Sequence, residues 1–429
     1  MHIQLIRVNH RDTVNRDVKS KKKGYNMRAC KVTEKIYALH ADIETEDLFE
    51  GIWPIPDGVS LNSYLVKGET SCALIDLVRD WCKAPDELCK QLASIDVAIE
   101  DVNYLILNHM EPDHTGWLAE FKKLNPKVVI VATAKALELV KSFYKIEENL
   151  RAVKTGDTLD LGGIRLVFEE APNLHWPETM VTYEPESGTL FSCDAFGSFG
   201  KLTNRIFDDE YYSEDLKNFE DETLRYYANI VASFGIFVKR AIEKLSKLDI
   251  KIVAPSHGLI WREKPSVIIN RYLKYANYMD GPREKEVCVV WGSMYGNTRD
   301  GLEYVLKGLE DEHVPYTMFR VPNEDVSFVL AEAYRCEGII MAMPTYEYKM
   351  FPPMGYVIDI FERKHIWNRK ALRIGSYGWV GGAQKDYDNR IAPLKWEHVE
   401  PLEWAGQPDE STGKLLRERG RELARRVKG

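Results

Sequence analysis

A chain of 429 residues, 45% hydrophobic and 29% charged, is long enough for two buried cores. Its formal charge of −8 excludes the broad basic footprint that nucleic acid or an anionic membrane requires. Seven cysteines, an odd number with no C-x-x-C pair, argue against a disulfide framework and against a cysteine-built zinc or iron–sulfur knuckle, and fit a reducing cytoplasm.

Residues 1–30 form an extension. Its basic tract, Lys19, Lys21, Lys22 and Lys23, has no apolar run behind it and is not a secretory signal, and no function is assigned to it. No apolar stretch approaches the ~20 residues that span a bilayer. From Ile36 onward, short apolar runs read as strands: Ile36 to Leu39, Leu61 to Val66, Cys72 to Val78, and Tyr104 to Leu107 after a helix over Pro85 to Leu92. Strand and helix follow at Val128 to Val131 and Ala134 to Tyr144. Further strands are expected at Arg165–Glu169, Met180–Tyr183, Thr189–Cys193 and Lys251–Ala254. Polar residues cluster just after several of these strands, as in a layered α/β domain with its site on one rim.

An aromatic helix, Ser266 to Tyr278, leads to Gly281-Pro282, a linker signal that divides residues 31–280 from residues 281–429. Beyond it come strands at Val287–Trp291, Tyr316–Val321, Gly338–Met343 and Leu372–Ser376, and a less distinct one at His398–Leu402. Helices intervene, and a last helix covers Ser411 to Val427. Five such strands indicate a doubly wound parallel sheet.

The strongest chemical signal is His109-x-Glu111-x-Asp113-His114, directly after an apolar strand, with Pro112 and Gly116 to tighten the loop. Three more candidates each follow a strand: His175, Asp194 and His257. Seven ligands are too many for one ion, and two metals sharing a bridging carboxylate would use them. Any one of these histidines alone is more often a satisfied structural residue; the set is not. His2, His10, His40, His313, His365 and His398 lack such a setting and are read as structural. Three carboxylates with imidazoles suit iron or manganese better than the imidazole-rich sites of zinc hydrolases.

The spacing of these seven residues resembles the metallo-β-lactamase-like domain of the flavodiiron proteins, in which a glutamate, here Glu111, replaces a histidine of the zinc enzymes' motif. The resemblance implies that His109, Glu111 and His175 bind one iron, that Asp113 and His257 bind the other, and that Asp194 bridges them. It leaves His114 on the metal or displaced from it by water.

After the strand ending at Trp291, Ser293-Met294-Tyr295-Gly296-Asn297-Thr298 opens a helix and offers backbone N–H groups and hydroxyls to a phosphate. No lysine stands where a nucleotide-binding P-loop needs one. Two further strand-end loops, Pro344-Thr345-Tyr346-Glu347-Tyr348 and Ser376-Tyr377-Gly378-Trp379-Val380-Gly381-Gly382, supply aromatic faces for a flat ring. All three fall where parallel sheets bind ligands. This region is similar to a flavodoxin domain, which implies FMN.

The expected fold is therefore α/β and α+β: a metallo-β-lactamase-like αββα sandwich followed by a flavodoxin-like, doubly wound five-stranded parallel sheet, with no rubredoxin module. The resemblance implies an oxidoreductase that reduces O2 to water or NO to N2O at two irons fed by FMN. It further implies a donor such as rubredoxin or a reduced deazaflavin, and a head-to-tail homodimer or dimer of dimers. Nucleic acid and membrane partners are not expected. The alternatives are a zinc-dependent hydrolase with an appended flavodoxin domain, and an electron carrier or gas sensor with an idle metal site.

Overall fold

The computed structural model describes residues 6–7 and 28–429, so the Lys19–Lys23 tract, His2 and His10 lie outside the described residues. The described chain separates into two compact units, divided between Ala276 and Asn277. The division falls at the end of the helix Pro265–Asn277, just ahead of Gly281-Pro282.

The first unit holds two sheets. One runs in the order Cys30–Lys31, Ile36–Ile43, Val59–Lys67, Cys72–Ile75, Tyr104–Ile106, Val129–Thr133, Leu150–Val153; its first four strands pair antiparallel and the remainder parallel. The other runs Ile252–Pro255, Thr189–Cys193, Met180–Glu184, Arg165–Glu170, Thr158–Asp160. Val59–Lys67 is buried at every position but its last, because it is covered on both faces. The sheets meet where the Tyr64 and Phe191 rings lie 5.2 Å apart. Polar ties fix that meeting: Tyr64 Oη donates to the Pro255 carbonyl at 2.6 Å, and Asn62 Nδ2 donates to the Pro255 and Gly258 carbonyls at 3.0 and 2.9 Å. Outside the first sheet, the helix Ala84–Ala93 docks through Gln91, which exchanges hydrogen bonds with the His40 backbone. Two helices not expected from the sequence, Ser213–Tyr226 and Gly235–Leu245, fill the stretch before Ile252, joined through a π-helical turn at Tyr227–Val231.

In the second unit the parallel strands run Tyr316–Arg320, Glu284–Trp291, Cys336–Ala342, Lys370–Tyr377 and then a fifth position, the order 2-1-3-4-5 of flavodoxin-like sheets. Apolar side chains such as Val287, Val289, Ile340, Leu372 and Ile374 alternate into a core against the helices Asn297–Asp311 and Glu410–Lys428. The fifth strand differs from the continuous His398–Leu402 expected. It is two short pieces, Glu397–His398 and Leu402–Ala405, both paired with Lys370–Tyr377, and Pro401 between them has no N–H to offer the ladder. Ile6–Arg7 adds a short parallel strand outside Tyr316–Thr317. Among the described residues, no helix is long and apolar enough to cross a membrane.

Candidate metal centre and cofactor pocket

Four candidate ligands come from one loop after Tyr104–Ile106. Glu111 is extended, and Pro112–Thr115 makes a single helical turn with proline at its first position, where a missing N–H costs nothing. Gly116 allows the turn to close, since a Cβ there would stand 2.6 Å from the Pro112 carbonyl oxygen and 3.2 Å from the Arg79 backbone. Winding this tight sends neighbouring side chains to different places: His109 and Glu111 join His175 and Asp194 in one donor group, while Asp113 and His114 join His257 in another. His175, Asp194 and His257 all come from loops of the second sheet, so the site lies where the two sheets' rims meet.

Donors about 2.0–2.2 Å from a common ion stand roughly 3.0–3.5 Å from each other, and the first group has this spacing. His175 Nε2 is 3.0 Å from Glu111 Oε2 and 3.3 Å from Asp194 Oδ2; His109 Nε2 is 3.4 Å from each of those same oxygens. In the second group His257 Nε2 is 3.1 Å from Asp113 Oδ2 and 3.4 Å from Asp194 Oδ1. Asp194 thus turns Oδ2 to one group and Oδ1 to the other. His114, whose place the sequence left open, stands inside this cage: its Nε2 is 2.9 Å from Asp194 Oδ1 and 3.4 Å from Asp113 Oδ1.

His109 Nε2, His257 Nε2, both Asp113 oxygens and Asp194 Oδ2 are buried without a hydrogen-bond partner. Orphaned buried polar atoms are costly, and five of them converging in one place fit a pair of bound cations. The electrostatics agree. Burial opposes a charge on His257, but the adjacent Asp113 and Asp194 carboxylates outweigh it and push the imidazole up to about 10. Burial is likewise outweighed at His175, raised to about 9 by Asp194 and Glu111. Against its own burial, Asp194 is held well below the usual carboxylate range by His114, His175 and His257. Oxygen-rich donor sets of this kind suit iron or manganese.

Several residues at the site escaped the sequence reading. Glu178 Oε1 accepts from His109 Nδ1 at 2.8 Å and from the Met110 N–H at 3.1 Å. Tyr226 Oη donates to Asp194 Oδ1 at 3.0 Å. Asp76 accepts from the Asn108 backbone and side-chain amides, which anchors the start of the ligand loop. Cys193 lies near His114 and Asp194, and burial pushes its thiol well up, which keeps it protonated and a poor ligand. Trp176 and Phe234 wall the site, the former edge-on to His109 with ring centroids 5.0 Å apart. Glu178 had one available signal: a carboxylate three residues beyond His175. Two of the histidines read as structural have ordinary partners: His398 meets Tyr387 and His365 stacks on Trp367. All seven cysteines are unpaired.

In the second unit, a cavity of about 320 Å³ opens at the carboxyl ends of the strands. Of the residues expected at a flavin site, Ser293, Met294, Tyr295, Asn297, Pro344, Thr345, Tyr346, Ser376, Tyr377, Gly378 and Trp379 line it, joined by Glu347, Tyr348 and Val380 of the same loops. Gly296, Thr298, Gly381 and Gly382 stand just outside its lining. The buried Thr298 hydroxyl is engaged with Ser376 Oγ at 2.8 Å, so it ties the first loop to the third. Gly296 stands at the start of its helix with φ +99, and its N–H donates to Ser293 Oγ. Gly382 has φ +146, and a Cβ there would meet the Tyr348 carbonyl oxygen at 2.3 Å; it is the point where the second and third loops touch. A half-exposed aromatic rim with backbone behind it suits a planar heterocycle.

Residues 59–258 match the family model described as ODP family beta lactamase. Over 390 residues the chain is 34% identical to the anaerobic nitric oxide reductase flavorubredoxin of Pectobacterium atrosepticum, covering 90% of this chain and 74% of that one. The rubredoxin oxygen:oxidoreductase of Desulfovibrio gigas shares the fold, with a TM-score of 0.87 at 23% identity over 94% of this chain and 99% of that one. The flavodiiron protein of Giardia intestinalis gives a TM-score of 0.87 at 25% identity over 93% and 97%.

Fold and donor set define a two-part redox protein, a metallo-β-lactamase-like domain followed by a flavodoxin-like one. The chain belongs to the flavodiiron protein family, which implies a non-haem diiron site and a flavin.

Proposed function

We propose that this chain is a flavodiiron reductase of dioxygen, nitric oxide or both, with two irons and one FMN per chain. The observation that carries the reading is the divided Asp194 carboxylate, one oxygen turned to each of two donor groups. His109, Glu111 and His175 would hold one iron, Asp113 and His257 the other, with Asp194 between them and His114 against Asp194 and Asp113. We assign residues 31–280 to the diiron domain and 281–429 to the FMN domain, and give residues 1–30 no role.

When bound, two ferrous irons and a reduced FMN together supply the four electrons that take O2 to two waters, or the two that take two NO to N2O and water. The chain's own residues do the rest. Tyr226 keeps its proton, because burial and the adjacent Asp194 charge push its phenol well up, and it holds that proton on Asp194 Oδ1. Trp176, Phe234 and Phe49 pack against His109, His175 and His257 and exclude water around those imidazoles. In the other unit, the backbone of residues 293–298 would hold the phosphate, and Tyr346 and Trp379 would flank the ring.

The electron donor we propose is a small carrier such as rubredoxin or a reduced deazaflavin reaching the flavin edge; the assembly is a head-to-tail homodimer or a dimer of such dimers. A chain whose seven cysteines are all unpaired suits the cytoplasm. Glu111 weighs against the zinc-hydrolase alternative, as does the aromatic-rimmed cavity of the second unit. The test is metal and flavin analysis followed by anaerobic reduction and separate O2 and NO consumption assays. About two irons and one FMN per chain with steady gas consumption is the expected result; zinc without turnover would overturn it.

A further inference from the structure

The two donor groups are alike in charge but not in what stands behind their imidazoles. Behind His257, Nδ1 donates to the Ser60 backbone carbonyl at 2.8 Å, a neutral dipole. Behind His109, Nδ1 faces the Glu178 carboxylate at 2.8 Å, a full charge. Glu178 is 2% exposed, and its own carbonyl accepts from Thr133 Oγ1 at 2.8 Å, which fixes its backbone. Its Oε1 also takes the Met110 N–H, a group that can only donate, so this oxygen serves as an acceptor and the His109 proton sits on Nδ1. Nε2 is thereby the nitrogen turned toward Glu111 and Asp194, the one that would face a metal there.

From this asymmetry, and resting on the diiron reading above, we propose that Glu178 is a positioning residue that makes the His109–Glu111–His175 position the tightly held one of the two metal positions. A carboxylate behind a ligating imidazole locks its tautomer and ring orientation and makes it a stronger donor, and losing such a partner typically costs 10–100-fold in metal affinity. A backbone carbonyl fixes the tautomer equally well but adds no net charge. The two ions are therefore unequal, and the difference lies at Glu178.

The experiment strips the full chain of metal, reloads it anaerobically with Fe(II) and follows release to a chromogenic iron(II) chelator. The wild type releases two irons in two phases. In Glu178→Gln the slow phase speeds up by about 10–100-fold and the fast phase keeps its rate. Glu178→Asp keeps the charge on a shorter stem and falls between the two; it also serves if the glutamine variant does not fold. A single release phase in the wild type overturns the inference, as do wild-type kinetics in Glu178→Gln or an equal acceleration of both phases. A wild-type chain that takes up no iron overturns the diiron reading itself, which separates the two failures.

Discussion

Tyr226 Oη donates to Asp194 Oδ1 across 3.0 Å, both groups fully enclosed, at the residue where a regular helix gives way to a π-helical turn. Such turns recur at functional sites because they re-aim a side chain. A hydrogen bond to a buried charge contributes about 1.5–3 kcal/mol. Tyr226→Phe should keep two irons per chain yet lower the rate of gas consumption roughly tenfold, the kinetic equivalent of about 1.4 kcal/mol. An oxygen or NO electrode alongside iron analysis decides it: full activity, or lost iron, contradicts the assigned role.

Removing the metal leaves three carboxylates and four imidazoles facing each other in a closed site. An ion at 100 times its dissociation constant stabilises by about 2.7 kcal/mol. For a unit of this size that corresponds to a fall of roughly 5–10 °C in the melting midpoint. Calorimetry of the chelated full chain should show that fall in the transition of the metal-binding unit, with flavin release, read by fluorescence, at its former temperature.

Gly382 sits at φ +146 with its absent Cβ directed at the Tyr348 carbonyl. Forcing alanine into it costs about 1–3 kcal/mol of strain or pushes the two loops apart. Gly382→Ala should therefore weaken FMN binding about tenfold or more while iron content stays constant. Quenching of FMN fluorescence during titration of the flavin-free chain measures it, and an unchanged dissociation constant would show that the loop contact is dispensable.

His398 accepts from the Tyr387 hydroxyl at 2.9 Å, and burial lowers its pKa below the ordinary 6.5. The unfolded chain takes up a proton there before the folded one does, so stability is fully present above 6.5 and declines as pH falls below it. Urea midpoints of the second unit should drop between pH 7.5 and 5, and His398→Gln, which cannot be protonated, should flatten that dependence. Parallel pH curves for wild type and variant would count against the assignment.

Much of the site was legible because its chemistry is written locally. His109, Glu111, Asp113 and His114 fall within six residues, directly after an apolar strand, and no core packing pattern calls for that composition. His175, Asp194 and His257 carry the same mark, a ligand type at a strand end. Tyr226 carries none and Glu178 only its closeness to His175, since their roles depend on partners 32 and 69 residues away. Thr298 was read as a donor to the phosphate because its position in the loop allows it; the fold adds a second contact, its hydroxyl 2.8 Å from Ser376 Oγ. The helix Ser213–Tyr226 went unseen because its apolar stripe rests on Leu216 and Phe219 amid acidic neighbours. In the fifth strand, Pro401 broke a run that looked continuous.

Both oxygens of Asp194 hang from a single carbon. The donor group of His109, Glu111 and His175 and that of Asp113 and His257 are accordingly joined through one rigid planar group, so a displacement of the loop that carries Asp194 shifts its contacts with both together.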